Sequence, residues 1–259
     1  MGYGTRSQRS VFRTARHQVM SEKDNYKPNG KWEFNESVTS VFPDMLSRSI
    51  PGYGTMRDSV VRVAKNFFSP EKQNQYLLDL GCSRGDTIYE ILDAVEPKSE
   101  IVCVGVDSSQ SMIATAQKLF EGWSNVDFVQ SDLVDIEIFP GKYTVITCVL
   151  TAQFIPLDAR QMFYEEVHKG LSADGVFIIV EKVLGETPYS QSLLVDIYHN
   201  FKREKGYTDE QIEDKRKSLQ GVLVPLRASE NESMLKDAGF TNVQRFWQCL
   251  NFVGWMASK

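Results

Sequence analysis

Three acids stand at the ends of three apolar runs in this 259-residue chain: Asp79, Asp107 and Asp132. The first closes Tyr76-Leu-Leu-Asp-Leu80 and opens into a loop with Gly81 and Gly85, holding Cys82 and Ser83 between them. The second closes Ile101-Val-Cys-Val-Gly-Val106 and is followed by Ser108; the third lies in Ser131-Asp-Leu133. Such an arrangement suits a β-α-β unit that holds a nucleoside. Glycine lets the backbone approach the ligand, and an acid at the tip of the second strand accepts from ribose hydroxyls. Ser83 stands where a dinucleotide loop would have its second glycine, and no lysine–serine pair marks a phosphate loop. A nucleoside without a pyrophosphate is therefore expected, with S-adenosylmethionine the leading candidate. Asp79 is expected beneath the loop, ordering it or accepting from the cofactor's amino group through water. Asp107 and Ser108 are assigned to the ribose, and Asp132 with the Leu133 amide to the adenine.

Alternating elements must position these residues. Apolar residues at helical spacing predict a helix over Thr55–Phe68, after a compact leader that begins at Val41. Strands are expected at Tyr76–Leu80, Ile101–Val106, Val126–Gln130, Tyr143–Leu150 and Val176–Val180. Helices are expected at Asp86–Val95, at Ser109–Phe120 behind a serine cap, and at Leu157–Leu171. That alternation predicts a parallel sheet with helices on both faces. An insert at about 185–224 breaks the pattern with two charged helices, Ser190–Glu204 and Asp209–Gln220. Beyond it lie a short helix, Asn231–Ala238, and two apolar runs, Val243–Gln248 and Phe252–Met256. The gap between those runs is too short for a crossover, so the last strand should be antiparallel. The expected architecture is α/β: a Rossmann-like class I methyltransferase fold with a mostly parallel seven-stranded sheet.

Composition narrows the function classes. A net charge of −5 argues against a broad nucleic-acid surface. No apolar run approaches the roughly 20 residues that cross a bilayer, so no membrane partner is expected. Residues 1–31 read as a basic, flexible arm, with residues 32–259 as a single domain. Arg6, Arg9, Arg13 and Arg16 could align along one side of a helix. The arm is either a solvated tail or a contact for nucleic acid or a partner. Cys82, Cys103, Cys148 and Cys249 have no metal spacing, and the last three, in apolar strand-like surroundings, suit reduced core cysteines in a cytoplasmic protein. Cys82 reads as a small residue packed under the ligand. No metal cofactor is expected.

Several segments together resemble the carboxy-S-adenosylmethionine synthase family, which serves tRNA wobble-uridine modification. They are Trp32-Glu-Phe-Asn-Glu36, Val41 through Tyr53, and Asp79 through Gly85, then Gln153-Phe154 and Glu181-Lys182. His199 through Arg203, Gly206-Tyr207, Lys215-Arg216 and Phe246 through Phe252 complete them. The resemblance implies that S-adenosylmethionine and prephenate become carboxy-S-adenosylmethionine and phenylpyruvate, by removing a methyl proton and capturing carbon dioxide. It places Tyr53, Gly81, Cys82, Ser83, Asp107, Ser108, Asp132, Leu133 and the position of Val149 around the cofactor. It makes Arg216 the partner of the added carboxylate. Tyr53 and Arg216 are thus the candidate catalytic residues. It also implies a homodimer, for which Leu193, Leu194, Ile197, Tyr198 and Phe201 offer apolar positions.

The chain departs from that family at Val149, where the family has an asparagine able to hydrogen-bond the cofactor, and at Val183, which replaces an aromatic. Thr151 is the residue that could compensate. The alternatives are an S-adenosylmethionine-dependent methyltransferase acting on a small molecule or nucleic acid, and a non-catalytic nucleoside sensor.

Overall fold

The computed structural model describes residues 23–259. The four arginines of the N-terminal arm lie outside that range. The arm's last residues, from Lys23, are packed against the fold. Asp24 is buried and accepts from the Tyr207 hydroxyl, and the Arg48 guanidinium donates to its carbonyl at 3.2 Å. This part of the expected flexible arm is therefore held in place.

Two helices precede the sheet, α1 (Glu36–Ser49) and α2 (Tyr53–Lys65). The sequence pattern assigns no helix to α1. It forms around Pro43 because Asn35 caps its start, accepting from the Val38 amide at 3.2 Å. The alternating body follows: β1 (Gln75–Leu80), α3 (Asp86–Ala94), β2 (Ile101–Asp107), α4 (Gln110–Leu119), β3 (Val126–Gln130) and β4 (Tyr143–Val149). Next come α5 (Leu157–Gly170) and β5 (Leu171–Leu184). The insert contributes α6 (Pro188–Glu204) and α7 (Asp209–Ser218), both begun by capping boxes, from Thr187 with Ser190 and from Thr208 with Gln211. The chain ends with β6 (Leu226–Arg227), α8 (Ala228–Asp237), β7 (Asn242–Cys249) and β8 (Phe252–Ser258).

The sheet order is β3-β2-β1-β4-β5-β8-β7, and β8 runs antiparallel to both neighbours. The seven expected strands are joined by two-residue β6, which pairs with the end of β5. That strand is too short to show an alternation in sequence. β5 begins at Leu171, five residues before the apolar run that predicts it. Its polar start, Ser172-Ala-Asp174, is carried past a register shift opposite Tyr143–Val145.

Both faces of the sheet are covered. Leu78, Ile146 and Phe177 pack with Phe163 and Trp255 in one core, while neighbouring Leu77, Val145 and Ile178 pack with Ile88 and Ile91 in another. This is the near-continuous apolar pattern of a doubly covered parallel sheet. A smaller aromatic cluster joins Trp32 to Tyr26, Phe34 and Phe42, and Phe34 meets Phe154 edge-on at 5.1 Å. It ties the leader to the loop after β4.

Candidate functional site

Beyond the carboxyl ends of β1, β2 and β4 lies a cavity of about 760 Å³, roofed by α1, α2 and the insert. Ligands of doubly wound sheets bind in this position, and the volume suits a nucleoside with an amino-acid tail. Tyr53, Gly81, Cys82, Ser83, Asp107 and Ser108 line it, as do Asp132, Leu133, Val149 and Arg216. The fold therefore gathers residues from positions 53 to 216 around one space. Asp79 and Gly85 are not on its wall. Gly85 starts α3 at φ +79°, where a Cβ would lie 3.0 Å from Phe120, so it shapes the loop from behind.

The glycine loop is held by strand β2. The amides of Gly81 and Cys82 both donate to the Val106 carbonyl, at 2.8 and 2.9 Å. The Asp107 carboxylate accepts from the Ser83 and Ser109 amides, each at 2.9 Å. Ser83 is thereby kept at φ +48°, a left-handed conformation that side chains disfavour. Gly81, at φ +77°, admits no side chain, because a Cβ would fall 2.2 Å from Thr151. On the next tip, the Asp132 side chain accepts from the Val134 amide at 3.1 Å, and Leu133 is buried beside it.

Burial dominates the electrostatics. It lifts the Asp79 carboxyl to about 7, against the hydrogen bond that Thr147 donates to Oδ1 at 2.7 Å. Among the described residues, Oδ2 of Asp79 has no hydrogen-bond partner. Burial also raises Asp107, against its two amide donors, and pushes the Tyr53 hydroxyl up to about 12. Tyr53 is thus a protonated donor at neutral pH. The Cys82 thiol is pushed well up by burial and stays protonated, which fits a packing role rather than a nucleophile.

The insert side departs from the simplest expectation. Arg216 is half-exposed and already forks onto Glu213, with Nε and Nη2 donating at 2.7 and 2.8 Å. Two of its five N–H groups are used, which leaves the Nη1 edge for a ligand. Val149 supplies only its carbonyl, which accepts from the Thr151 hydroxyl at 3.2 Å. Sequence reasoning gave no role to Lys182, Lys202 and Lys215, yet all three line the cavity. Each sits in a motif that carries the resemblance, but neither a lysine at the end of a strand nor one in a charged helix carries a local mark of burial.

Residues 77–175 match the family model described as "Methyltransferase domain". The carboxy-S-adenosyl-L-methionine synthase of Wolinella succinogenes is 36% identical over 230 residues, covering 88% of this chain and 94% of that protein. That of Methylococcus capsulatus is 35% identical, covering 87% and 93%. The chain belongs to the carboxy-S-adenosyl-L-methionine synthase family. As a member it is an S-adenosylmethionine-dependent transferase. Solved structures support the fold alone. A SAM-dependent methyltransferase from Aquifex aeolicus has a TM-score of 0.55 at 18% identity, covering 87% of this chain and 98% of its own. Human N-acetylserotonin methyltransferase, solved with SAM, also scores 0.55, at 14% identity, covering 86% of this chain and 55% of its own. For a carboxy-S-adenosyl-L-methionine synthase family member, the donor set fits the sulfonium nucleoside. Gly81 gives backbone access, and the Asp107 carboxylate is held in place at the tip of β2. Among the described residues, no His, Cys, Asp and Glu group is arranged to hold a metal, and no helix is long and apolar enough to cross a membrane.

Proposed function

We propose that this protein converts S-adenosylmethionine and prephenate to carboxy-S-adenosylmethionine, phenylpyruvate and water, for tRNA wobble-uridine modification; prephenate gives up carbon dioxide to the deprotonated methyl group, and its departing ring hydroxide takes the methyl proton. The observation that carries the proposal is the single cavity. Its wall runs from the Gly81–Ser83 backbone and Asp107 to Tyr53 and Arg216, so cofactor and second substrate meet in one enclosure. Asp107 and Ser108 hold the ribose, Asp132 and the Leu133 amide the adenine, and Asp79 and Gly85 shape the loop from behind. The bound cofactor supplies an activated methyl group next to a sulfonium. Tyr53 donates a hydrogen bond at the reacting end, and the free edge of Arg216 pairs with the incoming carboxylate. Holding both ligands in register is the main contribution asked of the protein, since proximity alone is worth several kcal/mol.

Purified protein given S-adenosylmethionine and prephenate should release phenylpyruvate and a nucleoside heavier by a carboxylate, read by mass spectrometry. Intact prephenate with an unchanged nucleoside would overturn the proposal. Arg216→Ala should lower product formation about 10- to 100-fold, the worth of one charged hydrogen-bonded pair, with Arg216→Lys recovering only part of it. An unaltered rate would remove Arg216 from the site. Val149 favours a second reading, methyl transfer to another acceptor, because it gives the cofactor no side-chain hydrogen bond. Methylated product from a substrate panel, with prephenate untouched, would select it. An N-terminal contact with nucleic acid belongs with that reading.

The same proposal includes a homodimer and a cytoplasmic setting, where the buried thiols of Cys82, Cys103 and Cys148 stay reduced. On α6, Tyr189, Leu193 and Ile197 are exposed, whereas Tyr198 turns inward onto Ile50 and Phe252. The exposed three form the candidate interface. The Leu193→Asp, Ile197→Asp double variant should halve the mass seen by light scattering. A wild-type protein that already scatters as a monomer would exclude the dimer.

A further inference from the structure

Lys182 from β5, Lys202 from α6 and Lys215 from α7 converge on the cavity wall from three separate elements. Lys202 is only 7% exposed, and the other two are half-buried. None of the three ammonium groups has an ion pair or hydrogen bond among the described residues. They lie over aromatic faces instead: Lys182 and Lys202 at 4.6 and 4.7 Å from the Tyr198 ring centre, and Lys215 at 5.1 Å from that of Trp32. A single lysine over a ring is a satisfied arrangement. Three lysines sharing one enclosure, with Lys202 opposed by both Lys182 and Lys215, are not.

Their surroundings supply little compensation. Asp24 is the carboxylate acting on Lys202 and Lys215, and it is committed to the Tyr207 hydroxyl and the Tyr26 amide. Arg48 adds positive charge beside Lys215, and Glu213 is taken by Arg216. Burial, with Lys202 and Arg203, pushes His199 toward its neutral form. Burial keeps Tyr198 and Tyr207 protonated. Buried cations of this kind persist where a ligand brings the counter-charge. Trp32, Phe34, Phe42 and Phe154 line the same cavity, so the ligand must also carry an apolar body.

We propose that Lys182, Lys202 and Lys215 form the dock for the second substrate, a ring-bearing dicarboxylate whose two anionic groups they hold beside the cofactor loop. The inference rests on the cavity being the reaction site. It goes further in assigning recognition of the second substrate to the lysines, with Arg216 in a separate role. Burial brings Lys182 and Lys215 down to about 8, so the dock is only partly charged when empty at mildly alkaline pH. A bound dianion favours the protonated amines, so binding takes up protons and weakens as pH rises through about 8.

The test is calorimetric titration of the full chain, saturated with S-adenosylhomocysteine, with three probes: phenylmalonate, phenylacetate and inorganic phosphate. Phenylmalonate should bind at least tenfold more tightly than either other probe. Its binding should take up protons in paired buffers at pH 8 and weaken at least tenfold by pH 9.5. Lys182→Met, Lys202→Met and Lys215→Met should each weaken phenylmalonate binding at least tenfold and leave S-adenosylhomocysteine binding unchanged. Lys202→Met should also melt at a higher temperature, because an uncompensated buried charge is removed. A purely structural lysine would give the opposite shift. Equal binding of phenylmalonate and phenylacetate, tighter binding of phosphate, or Met variants that bind like wild type would each overturn the dock. Lysine-dependent phenylmalonate binding without any carboxylated nucleoside would sink the proposed reaction and leave the dock standing.

Discussion

Replacing Glu181 with alanine is expected to destabilise the fold by about 3–5 kcal/mol, the largest stability loss foreseen for any single side chain around the site. Glu181 is 2% exposed on β5, and its two oxygens accept from the Ala152 and Gln153 amides at 3.0 and 2.8 Å. Removing it orphans both amides, at about 1–3 kcal/mol each, and leaves a cavity. The damage would spread through Gln153. That residue's carbonyl accepts from the Val224 amide at 2.8 Å, and its side chain links the Lys182 amide to the Leu150 carbonyl. The tip of β4, the end of β5 and the exit of the insert all depend on this one turn. For a domain of this size the melting point should fall by about 10 °C. A change under about 2 °C would show that the turn is held by other means. The pH dependence gives a second readout. Burial lifts the Glu181 carboxyl to about 8, against Arg160 and the amides. Its folded-state value lies above its unfolded one, so its contribution is complete below about 4.5 and is lost as pH rises through about 8. Asp79, raised to about 7, adds a slope of the same sign. Glu181→Gln should therefore flatten the decline of stability between about pH 5 and 8.

Asp107→Ala should weaken S-adenosylmethionine binding by about 100- to 1000-fold, or about 3–4 kcal/mol. Two losses combine. The ribose loses its charged acceptor, and the Ser83 and Ser109 amides lose theirs. Without that clamp Ser83 has no reason to stay at φ +48°, so the loop relaxes away from the shape that admits the nucleoside. Asp107→Asn keeps one acceptor oxygen but turns an NH₂ toward one of the two amides, and should fall between the extremes. Calorimetric titration reads the affinity, and a melting curve separates loss of binding from loss of fold. If Asp107→Ala binds within fivefold of wild type, Asp107 is a structural loop anchor and the ribose is held elsewhere.

The glycine loop and strand tips of the candidate cofactor site are legible in sequence because their signals are local. Apolar runs ending in Asp79 and Asp107 and a loop with two positive-φ glycines declare themselves within a few residues. The helix α1 was not legible, since Pro43 masks a helix whose stability comes from packing Val38, Val41 and Met45. Nor was the direction of Tyr198 and Phe201, which sit among apolar neighbours on α6 yet pack inward with Ile50 and Phe252.

From the order of residues alone come the alternating elements, the glycine loop, the strand-tip acids and the likeness to one enzyme family. All of these rest on neighbours in sequence or on recurring patterns. Folding in three dimensions added that Asp79 and Gly85 stand behind the wall, and that lysines 20 and 13 residues apart share one chamber with Trp32. Charge in a helix looks solvated until distant elements close over it. Burial and the field of neighbouring charges are long-range quantities, and they turn Lys182, Lys202 and Lys215 from surface residues into a receptor for anions.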